Sequence, residues 1–232
     1  MTEISVKENF EKAINEIWDN PRYEEVPFRQ YGYAIQDNIP VGGLLFIGLN
    51  PSRKDESNNR VFYNNEQEGG DIHRYFLKFQ EISKQTGMLW GHFDLIFIRE
   101  TDQQNIHQLF GFSHPVGTDF ILEQLRIAEQ VISQVKPQII VVNNTMARLF
   151  LGKDRHFNEK KHQEEGVWMG WHFEFDEHIG THRITNHPTL NNTPVFFTSM
   201  LTGQRALDKG SYERLIWHIR LVKKHLGKQH HP

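Results

Sequence analysis

The chain has 232 residues, a net charge of −3 at neutral pH and no cysteine. The missing thiol excludes a disulfide framework, thiolate zinc or iron–sulfur ligation and a cysteine nucleophile, leaving carboxylates, histidines, hydroxyls and amides for any chemistry. A charge this close to zero gives no global case for a nucleic-acid or membrane partner, and 38% hydrophobic residues over this length suit one globular domain, residues 1–232.

No apolar run approaches the ~20 residues that span a bilayer; the longest are LLFIGL at 44–49 and PQIIVV at 137–142. The first residues lack the apolar stretch of a signal peptide, so a cytoplasmic protein without membrane association is expected. Phe10, Ala13, Ile14, Ile17 and Trp18 recur at helical spacing and predict a helix over 3–19, the core of an N-terminal cover reaching residue 40. Leu44 to Gly48 is continuously apolar and stops at Asn50–Pro51, the pattern of a strand buried on both faces. The polar stretch 52–70 then reads as a long connection of the kind that carries function. A helix over 72–86 ends at Gly87. The second strand is predicted at 93–98, FDLIFI, running into Arg99, Glu100, Thr101 and Asp102.

Thr118 is a plausible N-cap for a helix through Val135. Pro137 resets the chain into a third strand at 139–143, and Asn143 and Asn144 can cap the helix at 145–151, ended by Gly152. Residues 155–190 read as a hairpin insertion with a strand within 167–178. The last core strand is placed at 195–200, a helix follows at 211–227, and 228–232 read as a frayed tail. Strands alternating with helices imply an α/β fold, a three-layer sandwich with a central four-stranded parallel sheet and helices on both faces. Ligands bind at the carboxyl ends of such strands. Polar residues bunch there: Asn50 to Ser52, Arg99 to Asp102, and Ser199 with Thr202.

The sharpest local signal is GLNPS, residues Gly48, Leu49, Asn50, Pro51 and Ser52. Glycine admits a ligand close to the backbone, asparagine offers an amide that can hold a water, and proline stiffens the turn; an ordinary turn is the competing account. Together with TSMLTGQRALDKGS at 198–211, this segment resembles the uracil-DNA glycosylase superfamily, most closely the mismatch-specific and single-strand-selective branch, over about residues 42–226. There a G-x-N-P turn follows the first core strand and a loop opening with H-P-S follows the last. The resemblance implies that Asn50 positions the attacking water, that Ser52 polices the base's C5 edge, and that Phe62 or Tyr63 stacks a flipped base, with Phe62 preferred.

Two departures accompany the resemblance. The family reads the uracil edge with an asparagine near the end of the second strand, where this chain has Arg99 and Glu100, which could face a base edge or simply pair with each other. At the histidine position this chain has Ser199; a literal His187–Pro188–Thr189 precedes the last strand and reads as a turn.

Charge is uneven. Residues 201–232 hold seven basic and two acidic side chains, a net +5 against −8 for the remainder, and Arg205, Lys209 and Thr202 flank a helix start suited to phosphate. His172, Glu174, Asp176 and His178 invite a metal reading, but extended geometry puts the two histidines about 20 Å apart, so a solvated hairpin face is favoured. The expectation is a DNA glycosylase-like enzyme that needs no cofactor or metal and acts on single- or double-stranded DNA, with no protein partner inferable. Asn50 and Ser199 would be catalytic. Gly48, Leu49, Pro51, Ser52, Phe62, Tyr63, Arg99 and Glu100 would hold the base. A catalytically silent nucleic-acid-binding module and, behind it, a metal-dependent hydrolase are the alternatives.

Overall fold

The computed structural model describes residues 2–53, 59–65, 72–110 and 114–229. The first short strand, β1 (Glu3–Ser5), leads into α1 (Val6–Asp19), which Ser5 caps by accepting from the Glu8 amide; Val6, Phe10, Ile14, Ile17 and Trp18 form its buried stripe. There follow β2 (Gly32–Gln36), β3 (Asn38–Pro40), β4 (Leu44–Gly48), β5 (Asn59–Tyr63), α2 (Leu77–Thr86) and β6 (Trp90–Asp94). The chain continues with α3 (Gln103–His107), α4 (Pro115–Val135), β7 (Ile139–Val142) and α5 (Thr145–Leu151). The hairpin strands β8 (His156–Asn158), β9 (Gln163–Glu165), β10 (Phe173–Asp176) and β11 (Thr181–Ile184) precede β12 (Pro194–Phe197) and α6 (Lys209–Gln229).

The central sheet has six strands in the order β10-β11-β12-β7-β4-β6 and is mixed. Pairings β12–β7, β7–β4 and β4–β6 are parallel, whereas β10–β11 and β11–β12 are antiparallel. The expected four-stranded parallel sheet is thus replaced by a larger mixed one, because the hairpin joins the sheet edge through β11. Alternation along the strands sends Leu45, Ile47, Ile140, Val142 and Val195 to a core with α1 and α4. Leu44, Phe46, Ile139, Val141 and Phe196 go to a second core with α2 and α6.

Several boundaries differ from the sequence-based expectation. The strand placed at 93–98 is Trp90–Asp94, with Gly48 paired to Asp94 at its end. Residues 95–98 then leave the sheet: Phe97 O accepts from Ala34 N, and Tyr33 bridges to Ile98. They are apolar because Leu95, Ile96, Phe97 and Ile98 are buried, not because they form a strand. The stretch 52–70 is not only connection, since β5 pairs parallel with β2; its residues 54–58 and 66–70 lie outside the described ones. Helix α4 starts at Pro115, whose fixed φ suits a first helical position, so Thr118 lies in the first turn and not at the cap. The last core strand ends at Phe197, and α6 begins earlier than expected, at Lys209, and runs through the tail as far as Gln229, with 230–232 outside the described residues.

Candidate functional site

Three parallel strands end side by side at Gly48 of β4, Asp94 of β6 and, just beyond β7, Asn143. A cavity of about 640 Å³ opens over these ends. The β2–β5 ribbon supplies a wall through Ala34, Val61 and Tyr63, and Tyr75 and Phe76, just before α2, supply aromatic surface. Asn50, Pro51 and Ser52 form part of the rim.

The Asn50 amide nitrogen donates to three main-chain carbonyls, those of Glu100 at 2.6 Å, Pro51 at 3.2 Å and Ile98 at 3.3 Å. Those acceptors fix the amide's orientation, because only its NH₂ can donate. Its Oδ1 is buried with no hydrogen-bond partner. The same holds for Asn143 Oδ1 and for both ring nitrogens of His92. A buried polar atom left unbonded costs about 1–3 kcal/mol, so four such atoms on three residues beside one cavity concentrate an unpaid polar cost there. Asn144 alone caps α5, accepting from the Met146 and Ala147 amides, while the Asn143 side chain interacts with the Tyr75 phenol.

His92 and Asp94 project from β6 over Gly48. A β-carbon on residue 48 would meet Asp94 Oδ1 at 2.1 Å and His92 Nε2 at 3.0 Å, so only glycine leaves room for both. His92 is 2% exposed, and burial depresses its pKa to about 3. Its ring is therefore neutral, and the 3.6 Å approach of Nε2 to Asp94 Oδ1 is not an ion pair. Burial pushes the Asp94 carboxyl up to about 7, which brings its titration to neutral pH. The Tyr63 and Tyr75 phenols are held well above their usual range by burial first and by the Asp94 carboxylate second. Perturbed groups gathered in one cleft make it a candidate functional site.

The structure brings Gly48, Leu49, Asn50, Pro51, Ser52, Tyr63 and Arg99 together around this cavity. Phe62 is elsewhere: it packs against Tyr33, with ring centroids 5.6 Å apart, in the core. The reason is the alternation of β5, which sends residue 62 inward and residue 63 to the cavity. Glu100 is buried and accepts from the Asp102 amide at 2.8 Å, shaping its own turn. Ser199 lines a separate cavity of about 340 Å³ with Thr198, Phe197, Arg148 and Thr145; Asn144 borders both cavities.

Thr202, Arg205 and Lys209 line neither cavity. Lys209 lies 3.8 Å from Glu213. The start of α6 already holds an anion, for Asp208 accepts from the Ser211 amide at 3.0 Å and its hydroxyl at 2.6 Å. That occupancy removes the helix-start argument for phosphate there. His187 is a turn residue, its Nδ1 accepting from the Thr189 and Leu190 amides.

Sequence reasoning missed His92, Asp94, Tyr75 and Asn143. The available signal was Asp94 itself, the one charge inside FDLIFI, which marks where a buried strand ends. On the hairpin, Asp176 is held by Arg183 at 2.6 Å and His172 contacts Arg155. Among the described residues no group of three or more His, Asp or Glu side chains is arranged to hold a metal ion, and no helix is long and apolar enough to cross a membrane. Comparison with protein-family models, curated proteins and solved structures finds no match.

Proposed function

We propose that the protein is a DNA glycosylase-like enzyme of the uracil-DNA glycosylase superfamily, acting in the cytoplasm on a flipped damaged or deaminated base. In this reading β12, β7, β4 and β6 are the superfamily's four-stranded parallel core, and the hairpin is an addition to its edge. The observation that carries the proposal is Asn50: three carbonyls lock its amide, leaving one buried acceptor beside an aromatic-walled cavity at the strands' carboxyl ends. An acceptor held in that way can orient a water for attack on an anomeric carbon.

The base enters against Tyr63, Tyr75 and Phe76, whose surfaces offset the few kcal/mol that unstacking costs. Water adds at the sugar carbon as the glycosidic bond breaks, the bonding electron pair leaves with the base, and the departing base takes up the proton that the water loses. The donor to the charge developing on the base is the N–H of neutral His92, in place of Ser199, because His92 lines the cavity and Ser199 does not. A preorganised donor of that kind contributes about 2.7–4 kcal/mol to the transition state.

The position of Ser199 in its own cavity favours a second reading, a nucleic-acid-binding module of the same fold without chemistry. Oligonucleotides carrying uracil, hypoxanthine, xanthine or mismatched thymine separate the two. Alkali-labile sites after incubation are expected from at least one of them; binding without base release from any would leave the silent module standing and sink the enzyme.

A further inference from the structure

We infer that the carboxyl rim of the sheet carries a second site, a stacking surface for an unpaired nucleic-acid strand, built on Phe175, His182 and Phe197 with Lys153 as its cation. It lies outside the base pocket and does not rest on it. Strands β10 and β12 both run antiparallel to β11, so they point the same way, and their last residues share a sheet end with those of β7, β4 and β6. Alternation along the strands puts Phe175, His182 and Phe197 on one face. Their rings form a row: Phe175 to His182 and His182 to Phe197 are each 5.4 Å between centroids. Phe175, at the outer end, is 58% exposed. At the inner end Phe197 lines the smaller cavity beside Arg148, Thr145, Thr198 and Ser199, and Asn144 borders both that cavity and the larger one.

The chemistry of the row selects its occupant. The aliphatic side chains of this face, Ile184 and Val195, are buried, so what it offers outward is aromatic ring. Lys153 Nζ lies 5.8 Å from the Phe197 ring centroid. Burial first and the Lys153 charge second hold the His182 pKa below its usual value, so its ring is neutral at pH 7. Asp154, the carboxylate next to Lys153, is taken by Arg148 at 3.1 Å, and among the described residues no carboxylate pairs with Lys153. Glu174 and Asp176 of β10 alternate to the opposite face, where Arg183 holds Asp176. Unpaired bases stack on such rings whatever their sequence, while the cation and the hydroxyls meet phosphates. A duplex, whose bases already stack on one another, gains nothing from the row.

The test is fluorescence anisotropy of the full chain with a labelled oligothymidylate of about 15 nucleotides, the matching oligouridylate, an abasic strand and a duplex of the same length. At least one of the two base-bearing strands is expected to bind about fivefold tighter than the abasic strand and the duplex, and which one does so names the sugar. Phe175→Ala should weaken that binding by at least about fivefold, the loss of one stacked base. Lys153→Gln should make the slope of log K against log salt shallower by about 0.7. Phe157→Ala is the control, since Phe157 is equally exposed but belongs to the separate β8–β9 ribbon, and it should change nothing. Equal binding of the abasic strand or the duplex, an affinity unchanged by Phe175→Ala, or an equal loss in Phe157→Ala overturns the stacking surface. Binding of no strand overturns it too and leaves the row to a protein partner. Neither Phe175 nor Lys153 lines the larger cavity, so the base pocket stands or falls separately.

Discussion

Gly48 and Asp94 stand opposite one another at the end of the β4–β6 pairing, and the Asp94 carboxylate fills the space a side chain on residue 48 would need. Gly48→Ala is therefore expected to displace Asp94 and, with it, His92. Overpacking of this kind costs about 1–3 kcal/mol. Urea denaturation should show an unfolding free energy lowered by that amount, with a correspondingly lower midpoint, and ligand binding should weaken together with stability. An unchanged midpoint would mean that the carboxylate swings aside freely.

Asp94 and His92 pull stability in opposite directions with pH. Asp94 has a folded pKa raised to about 7, so the folded state keeps a proton that the unfolded chain releases near pH 4. Its destabilisation is absent below that and grows as pH rises to about 7. His92 has a folded pKa lowered to about 3; its contribution is present above about pH 6.5 and lost as pH falls. Between about pH 4 and 6.5 the two slopes nearly cancel. Asp94→Asn removes one of them, so its stability relative to wild type should climb from pH 4 to 7 by a few kcal/mol, of order 4, and then level off. Urea unfolding of both proteins across this range measures it, and parallel curves would show that Asp94 is not desolvated.

Asn50 and Ser199 were paired as catalytic residues by the sequence, yet they border different cavities. Asn50→Ala is expected to lower base release by two orders of magnitude or more while DNA binding stays within a few-fold, provided thermal unfolding confirms that the turn survives loss of its three hydrogen bonds. Ser199→Ala should change the rate less than about fivefold. Equal losses in both variants would return Ser199 to the reaction centre.

Arg205 is exposed at the loop before α6, whereas Lys209 is close to Glu213. If Arg205 meets a phosphate, Arg205→Gln should make the slope of log K against log salt shallower by about 0.9 on duplex DNA and about 0.7 on a single strand. Lys209→Gln should have the smaller effect. A slope unchanged by Arg205→Gln would place the phosphate contacts elsewhere on the surface.

Composition and local patterning were enough to establish alternating strands and helices, the buried central strand at Leu44–Gly48, and the site turn at Asn50, because continuous burial and turn chemistry leave marks on neighbouring residues. Those same marks misplaced β6: an apolar run reports burial, and residues 95–98 are buried without being strand. β5 went unseen because its partner β2 lies some 27 positions earlier and its own residues are mostly polar. The cavity floor was the least visible of all. Its geometry depends on Gly48, Asp94 and Asn143 ending adjacent strands, and adjacency in a crossover sheet is decided by long-range pairing that no local window contains. The zero cysteine count excluded thiol chemistry from the start; only the tertiary structure gathered a neutral histidine, a half-titrated carboxylate and two unbonded amide oxygens in its place.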